Sequence, residues 1–470
     1  MQPSRDACFA GGHCGDMVGA RGAAALAVAA TTMGQDPREL LAANAMTPLQ
    51  VFVVAVTVCL CALDGFDVLS ISFASPGIAR DWGIDRAALG IVLSMELIGM
   101  SIGALALGGL ADRIGRRPTM LGCLVVMTLG MAMAVTAHGV YDLSAWRVIT
   151  GLGIGGMLAC GNAVAAEFAN ARHRDFSVSL MAIGYPLGAI VGGAVAALLL
   201  KQGDWRAVFR FGAIVTACFI PIVLLGVPES VGWLCGRQPA RALVRLNRSL
   251  ARLGYRPIEA LPPLTGRRRT APIVELLRPG LRLTTMLVTS AYFLHIGTFY
   301  FILKWIPKIV VDMGFAASSA AKVLVWANVG GAAGGLILGA LTHRFGLKPL
   351  TITLFIASTA MVAVFGHGQS DLGQLSLICA LTGFCTNGAV VGMYAVIARA
   401  FPSEVRSSGT GFAIGVGRGG AAVGPILAGY LFQAGYGLQF VAIVMGMSSL
   451  AAAVALAMLN LKSRPVTEPA

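Results

Sequence analysis

Twelve apolar stretches of about 19 to 25 residues recur along the chain. No other feature limits its fold as much, because each stretch is long enough to cross a bilayer as a helix. Their approximate limits are 50–72, 88–110, 118–137, 143–166, 176–200 and 207–227, then 283–305, 319–341, 349–367, 374–398, 408–431 and 438–460. The expected fold is an all-α integral membrane protein of about twelve transmembrane helices in two six-helix pseudo-repeats, with both termini on one side. Composition agrees: 57% of 470 residues are hydrophobic, mean hydropathy is +0.79, and 12% are charged against about 25% in soluble domains. The chain divides into an N-terminal tail (1–47), a first half (48–228), an Arg-rich central loop (229–282), a second half (283–461) and a C-terminal tail (462–470).

The charge sits between the apolar stretches and reads as topology. Placing the termini inside puts 25 of the 35 Lys and Arg on the termini side; seven fall on the other, among them Lys304, Lys308 and Lys322. Retained positive charge marks cytoplasmic loops, so both termini are expected in the cytoplasm. A nucleic-acid binder would gather such an excess on one folded soluble face, and this chain does not. The central loop carries eleven arginines, including Arg267, Arg268 and Arg269, and is read as a topological anchor that also touches anionic lipid head groups. A short amphipathic turn is expected over 37–43 in an otherwise disordered tail.

The ten cysteines are scattered, mostly within apolar runs, with no C-x-x-C spacing. They read as small packing residues. Cys8, His13 and Cys14 in the tail lack further ligands to complete a metal site, and no metal or cofactor is expected.

Asp64 and Asp67 interrupt the first apolar stretch. Ionised side chains at that depth cost about 2.5 to 3.5 kcal/mol each, so two of them indicate function. Three residues of helix separate them by about 300° and about 4.5 Å, which places them on one face. Two carboxylates that close cannot both ionise cheaply in a dry site, so the pair suits a reversible proton carrier. The competing reading pairs one acid with a helix-anchoring arginine.

The segment from Gly108 through Asp112, Arg113, Gly115, Arg116 and Arg117 ends the second stretch, and a weaker copy, Gly339 to Lys348, ends the eighth, 231 residues later. This offset relates two halves pointing the same way. Here the sequence strongly resembles the major facilitator superfamily, over about residues 48 to 460. Further motifs narrow the resemblance. They are Asp64-Gly65-Phe66-Asp67; Arg147 with Gly151, Gly153, Gly155 and Gly156; Glu167 before Arg172 and Arg174; and Pro228-Glu229-Ser230 with Trp233. Trp305-Ile306-Pro307, Phe401-Pro402 with Arg406, and Gly415 to Gly419 with Gly424-Pro425 complete the set. Together they resemble the aromatic acid:proton symporters, bacterial inner-membrane importers of hydroxybenzoate-type carboxylates. Ala159-Cys160 and His343 depart from that pattern, which often has Pro-Asn and an acid there.

The resemblance implies proton-coupled import of an aromatic monocarboxylate by alternating access, with the proton as coupling ion, membrane lipids as surroundings and a monomer as the unit. Exporters, porters of another small carboxylate or a sugar, and a non-transporting receptor for aromatic acids are the alternatives. An enzyme is not expected, since no nucleophile, metal or cofactor constellation stands out. Helices one and four adjoin the cavity in the superfamily, and Asp67 and Arg147 match in depth, so an Asp67–Arg147 ion pair that opens on protonation is expected. Arg418, near the middle of the eleventh helix among Gly415, Gly417, Gly419 and Gly420, suits a substrate carboxylate or a structural ion pair with the other half. The 231 offset carries Asp64 onto His295, among Tyr292, Phe293, Phe299, Tyr300 and Phe301, where it could contact substrate or be satisfied in the bundle. It carries Glu96 to within one residue of Asn328, and both read as satisfied polar groups in the bundle. Asn387 and Tyr394 are further lining candidates. Asp112, Arg113, Arg116 and Glu167, with Arg406, form the expected cytoplasmic gate network. Glycines of the fifth and eleventh helices are expected to let the halves approach.

Overall fold

The computed structural model describes residues 36–263, 273–402 and 405–459. Expectations for the first 35 residues, for Arg267 to Arg269 and for the C-terminal tail lie outside that set. Every long element is a helix, with no strand among the described residues. The first half holds α1 (Pro48–Trp82), α2 (Arg86–Ile114), α3 (Arg116–Val135), α4 (Val140–Phe168), α5 (Arg174–Leu199) and α6 (Arg206–Gly226). The second holds α7 (Pro279–Asp312), α8 (Ala317–Phe345), α9 (Leu347–Gly366), α10 (Leu372–Ala400), α11 (Ser408–Gln433) and α12 (Leu438–Met458). All twelve are long and apolar enough to cross a membrane. α11 is interrupted at Arg418.

Local chemistry sets the ends. Thr47 and Gln50 close a reciprocal capping box at the start of α1, Pro48 occupies the first helical position, and Gly83 (φ 58°) ends the helix. Between α2 and α3 the chain turns through the single residue Gly115 (φ 115°), and between α8 and α9 through Gly346 (φ 79°), 231 positions on.

Packing repeats with the same offset. In the first half α2 lies on α4, α1 on α5, and α3 on α4 and α6; in the second α8 lies on α10, α7 on α11, and α9 on α10 and α12. Across the halves α2 meets α11, α5 meets α8, and α1 meets α7. Small residues permit the closest crossings. Ala62 of α1 backs onto Gly188 of α5, and Leu152 of α4 onto Gly103 of α2, each so tightly that a Cβ would stand about 2 Å from a carbonyl oxygen.

The α2–α11 pair shows the state of the molecule. At the end opposite the termini, a Cβ on Gly90 would lie 2.7 Å from the Pro425 carbonyl oxygen, and Arg86 pairs with Asp312 at 3.3 Å. Toward the termini end, Leu105 approaches Gly415 no closer than 3.9 Å to an added Cβ and remains 71% exposed. The halves are sealed at the far end and splayed at the termini end.

Two expectations change. α1 and α7 run to 35 and 34 residues, well past the apolar windows, since α1 continues through buried serines and α7 through the buried Lys304 and the half-buried Lys308. Lys304 and Lys308 thereby belong to α7 rather than to an outer loop. The 229–282 loop contains helices Val231–Arg237 and Ala242–Arg252 and a 3-10 turn, Ile273–Leu277, while the expected 37–43 turn is the helix Pro37–Ala43.

Candidate functional site

Five ionisable groups, all essentially inaccessible, meet on the sealed side of the interface between the halves: Asp64 and Asp67 of α1, Glu96 of α2, Arg147 of α4 and Lys304 of α7. Their approach depends on small neighbours. Gly65 admits the Tyr185 carbonyl of α5 beside the two aspartates, and Gly99 and Gly151 bring α2 and α4 together around Glu96. Glu96 receives both cations: Arg147 Nη2 forms an ion pair with Oε1, and Lys304 Nζ stands 3.3 Å from Oε2. Arg147 Nη2 also donates to the backbone carbonyl of Asp67 (2.8 Å), Nη1 contacts Met131 Sδ (3.1 Å), and the guanidinium lies 5.4 Å from the Phe209 ring centroid. Lys304 Nζ donates as well to the Val68 carbonyl.

The expected Asp67–Arg147 ion pair is therefore corrected. The depths do match, since Arg147 reaches the Asp67 main chain, but its carboxylate partner is Glu96. Neither carboxyl of Asp64 or Asp67 accepts a hydrogen bond among the described residues; the Thr216 hydroxyl beside Asp67 is spent on the Gly212 carbonyl at 2.8 Å. Glu96, read from sequence as a satisfied bundle residue, is the hub instead. Lys304 was assigned by its charge to an outer loop, and its sequence neighbours Leu303 and Trp305 carried the contrary signal.

The second half contributes a different cluster. Arg418 interrupts α11, with its guanidinium among the hydroxyls of Tyr292, Tyr300 and Tyr394. No carboxylate pairs with it among the described residues, so the structural ion pair with the other half is not formed here. Tyr292 and Tyr394 place their hydroxyls 3.1 Å apart, and Tyr394 is 39% exposed toward the splayed end. Gly417 makes room for the Tyr292 ring and Gly420 for the Phe293 carbonyl.

His295 does not join this cluster. Its Nδ1 bonds Ser449 Oγ (2.8 Å), its Nε2 bonds the Thr386 carbonyl (2.9 Å), and its ring packs 4.6 Å from Phe355. Both nitrogens are taken within the second half, which corrects the expectation of substrate contact. Asn387 ties α10 to α8 through the Gly331 carbonyl (2.7 Å), and Asn328 bonds its own helix at Leu324.

At the termini end, Arg116 joins Asp112 (2.6 Å) and Glu167 (3.0 Å), bringing three of the expected gate residues together. Sequence reasoning missed Glu229, whose Oε1 accepts from the backbone N–H groups of Arg116 (2.9 Å), Arg117 (3.3 Å) and Ser230 (3.1 Å). Burial pushes the Glu229 carboxyl above the usual carboxylate range, against the pull of those donors. A side chain at Gly115 would strike Glu229, which explains the glycine there. Arg113 is exposed, and Arg406 donates to the Phe401 carbonyl (3.5 Å) among the described residues. The network lies within the first half and the segment after it, and it stays intact while the termini end is splayed. Of the five expected gate residues, Arg113 and Arg406 stand outside it in this conformation. The glycines of α5 likewise serve mainly α1; Gly193, against Val325, and Gly429, against Arg86 and Gly90, make the cross-half contacts.

The arrangement suits transport rather than bond chemistry: buried carboxyls for protons, a lone guanidinium for an anion, and a two-ended path between halves. Comparison with known proteins agrees. The pattern of the Major Facilitator Superfamily matches residues 57–372 and 288–470. The 3-(3-hydroxy-phenyl)propionate transporter of Escherichia coli K12 is 31% identical over 80% of this chain and 85% of its own length. The gallate transporter of Pseudomonas putida is 28% identical over 84% and 88%, and the 4-hydroxybenzoate transporter PcaK of Pseudomonas aeruginosa 29% over 86% and 91%. Among solved structures, the D-xylose-proton symporter shares the fold with a TM-score of 0.67 at 18% identity, over 87% of this chain and 97% of that one. The chain belongs to the major facilitator superfamily and is a multi-pass membrane transporter, not an enzyme, related to the aromatic acid transporters.

Proposed function

We propose that this protein imports an aromatic monocarboxylate of hydroxybenzoate type together with protons, by alternating access, in a bacterial inner membrane with both termini cytoplasmic. The observation that carries the reading is the pair Asp64 and Asp67, fully buried carboxyls without hydrogen-bond partners among the described residues, beside a cation already committed to Glu96. Such carboxyls are neutral at little cost when protonated, and once ionised they compete with Glu96 for Arg147. Protonation thus decides which acid holds the arginine. Arg418 supplies the anion anchor, offering a bidentate match to a carboxylate, and the tyrosines around it supply hydroxyls and ring faces for an aromatic substrate. The transporters named above support the substrate class, and the excess of Lys and Arg on the termini side supports the orientation. A monomer with no cofactor, surrounded by lipids, is sufficient for this cycle.

The test is uptake of labelled 4-hydroxybenzoate, gallate and benzoate into proteoliposomes under an imposed pH gradient, with and without a protonophore. Accumulation that the protonophore abolishes, and that Asp67→Asn lacks while still exchanging substrate, is expected. Accumulation indifferent to the protonophore removes proton coupling, and binding without accumulation identifies a receptor.

A further inference from the structure

Lys304 is the one charged member of the buried cluster that comes from the second half. Asp64, Asp67, Glu96 and Arg147 all sit on α1, α2 and α4, whereas Lys304 arrives on α7 and crosses the interface to Glu96 Oε2 and the Val68 carbonyl. It lies about 12 Å along its helix from Asp312, and Glu96 about 15 Å from Arg86, so both stand just inside the contacts that seal the far end. Any parting of the halves there withdraws Lys304 from the acids.

The charge balance then changes. With the far end sealed, three carboxyl groups face two cations, and the cluster is neutral with one proton bound. With Lys304 withdrawn, three carboxyl groups face Arg147 alone, and neutrality takes two protons. An uncompensated charge at this depth is strongly disfavoured, so each arrangement holds close to its neutral count. The phenols of Tyr185 on α5 and Tyr300 on α7 face the same acids and, as phenols at neutral pH, add no charge to either count.

We infer that Lys304 is a tethered counter-ion that exchanges with a proton: sealing the far end inserts its ammonium beside Glu96 and displaces one proton from the cluster, and opening that end withdraws it and takes one proton up. No covalent bond other than the acid O–H forms or breaks, and the displaced proton leaves to water on the open, termini side. The inference rests on the proton-coupled reading above, and it adds that conformation alone, without substrate, changes the number of protons bound.

A state that binds one more proton is favoured tenfold for each unit fall in pH across the range where the exchange occurs. A donor–acceptor fluorophore pair on Lys201→Cys and Gly437→Cys, at the far ends of the two halves, reads the open-to-sealed ratio in full-length protein stripped of its other reactive cysteines. The ratio should rise about tenfold per unit of acidification in the parent and in Lys304→Arg, and Lys308→Gln, which frees Asp312 beside the sealing contact, should shift the ratio yet keep the parent's slope. Lys304→Gln should be flat. The double variant Glu96→Gln with Lys304→Gln removes the cross-interface pair and leaves Arg147 to the ionised Asp67, one proton remaining on the cluster in both arrangements, so it should be flat too. A pH-independent ratio in the parent, or an unchanged slope in the double variant, overturns the exchange. Because no substrate is present, this result is separate from whether uptake of aromatic acids is proton-driven.

Discussion

Gly90 of α2 and Gly429 of α11 lie back to back across the two halves, so close that a Cβ on Gly90 would stand 3.2 Å from the Gly429 Cα and 2.7 Å from the Pro425 carbonyl oxygen. Substituting Gly90→Val should hold the far end apart. Overpacking of this kind costs about 1 to 3 kcal/mol, enough to move the sealed-to-open ratio by about tenfold or more. Uptake should fall by a similar factor while the amount of folded protein is unchanged. Normal uptake by Gly90→Val would mean that the far end never needs to close this tightly.

The buried ion pair makes a stability prediction. Arg147→Gln leaves Glu96 with Lys304 as its sole cation and the Asp67 carbonyl without the guanidinium that donates to it, and breaking such a pair costs about 3 to 5 kcal/mol. The double variant Glu96→Gln with Arg147→Gln should recover much of that loss. Thermal unfolding in detergent measures both, and equal melting temperatures for the single and double variants would contradict the pairing.

Arg418 should act on affinity. A charge-assisted hydrogen bond contributes about 1.5 to 3 kcal/mol, so Arg418→Ala should weaken binding of an aromatic acid by about ten- to a hundredfold. Arg418→Lys should fall between. Tyr394→Phe should shift the preference between hydroxylated and plain benzoates more than it shifts overall affinity. Thermal-shift titration with a panel of acids separates these effects.

Glu229 collects three backbone donors at the termini end. Glu229→Ala leaves those N–H groups unpaired, at about 1 to 3 kcal/mol for a buried donor, whereas Glu229→Gln keeps an acceptor in place. Burial raises this carboxyl in the folded chain, so the folded state binds the proton more tightly than the unfolded one. Its contribution to stability is therefore fully present below the ordinary carboxylate value and declines as pH rises through the raised one. Melting curves from pH 4 to 8 should show that decline in the parent and lose it in Glu229→Gln.

The twelve spans, the two halves and the 231-residue repeat were legible because periodic apolar length is a property of the chain itself. Asp64, Asp67, Arg147 and Arg418 stood out for the same reason, as charges inside apolar runs. Their partners did not. Which acid takes Arg147 depends on how α2, α4 and α7 converge, and helical spacing within one segment carries no information about that. Lys304 was misplaced because its charge was counted as topology, although the apolar stretch 283–305 already contained it and a buried glutamate compensates the lysine. His295 failed differently: the offset located it well, but Ser449 and Thr386 come from two other helices and occupy both its nitrogens.

The turns at Gly115 and Gly346 have a mechanical consequence. A chain that passes from one span to the next through a single residue has no slack, so α2 drags α3 with it and α8 drags α9. Parting of the halves at Lys304 therefore carries α2 and α3 together, and the corner that Arg116 and Glu229 hold at the opposite end travels as one piece.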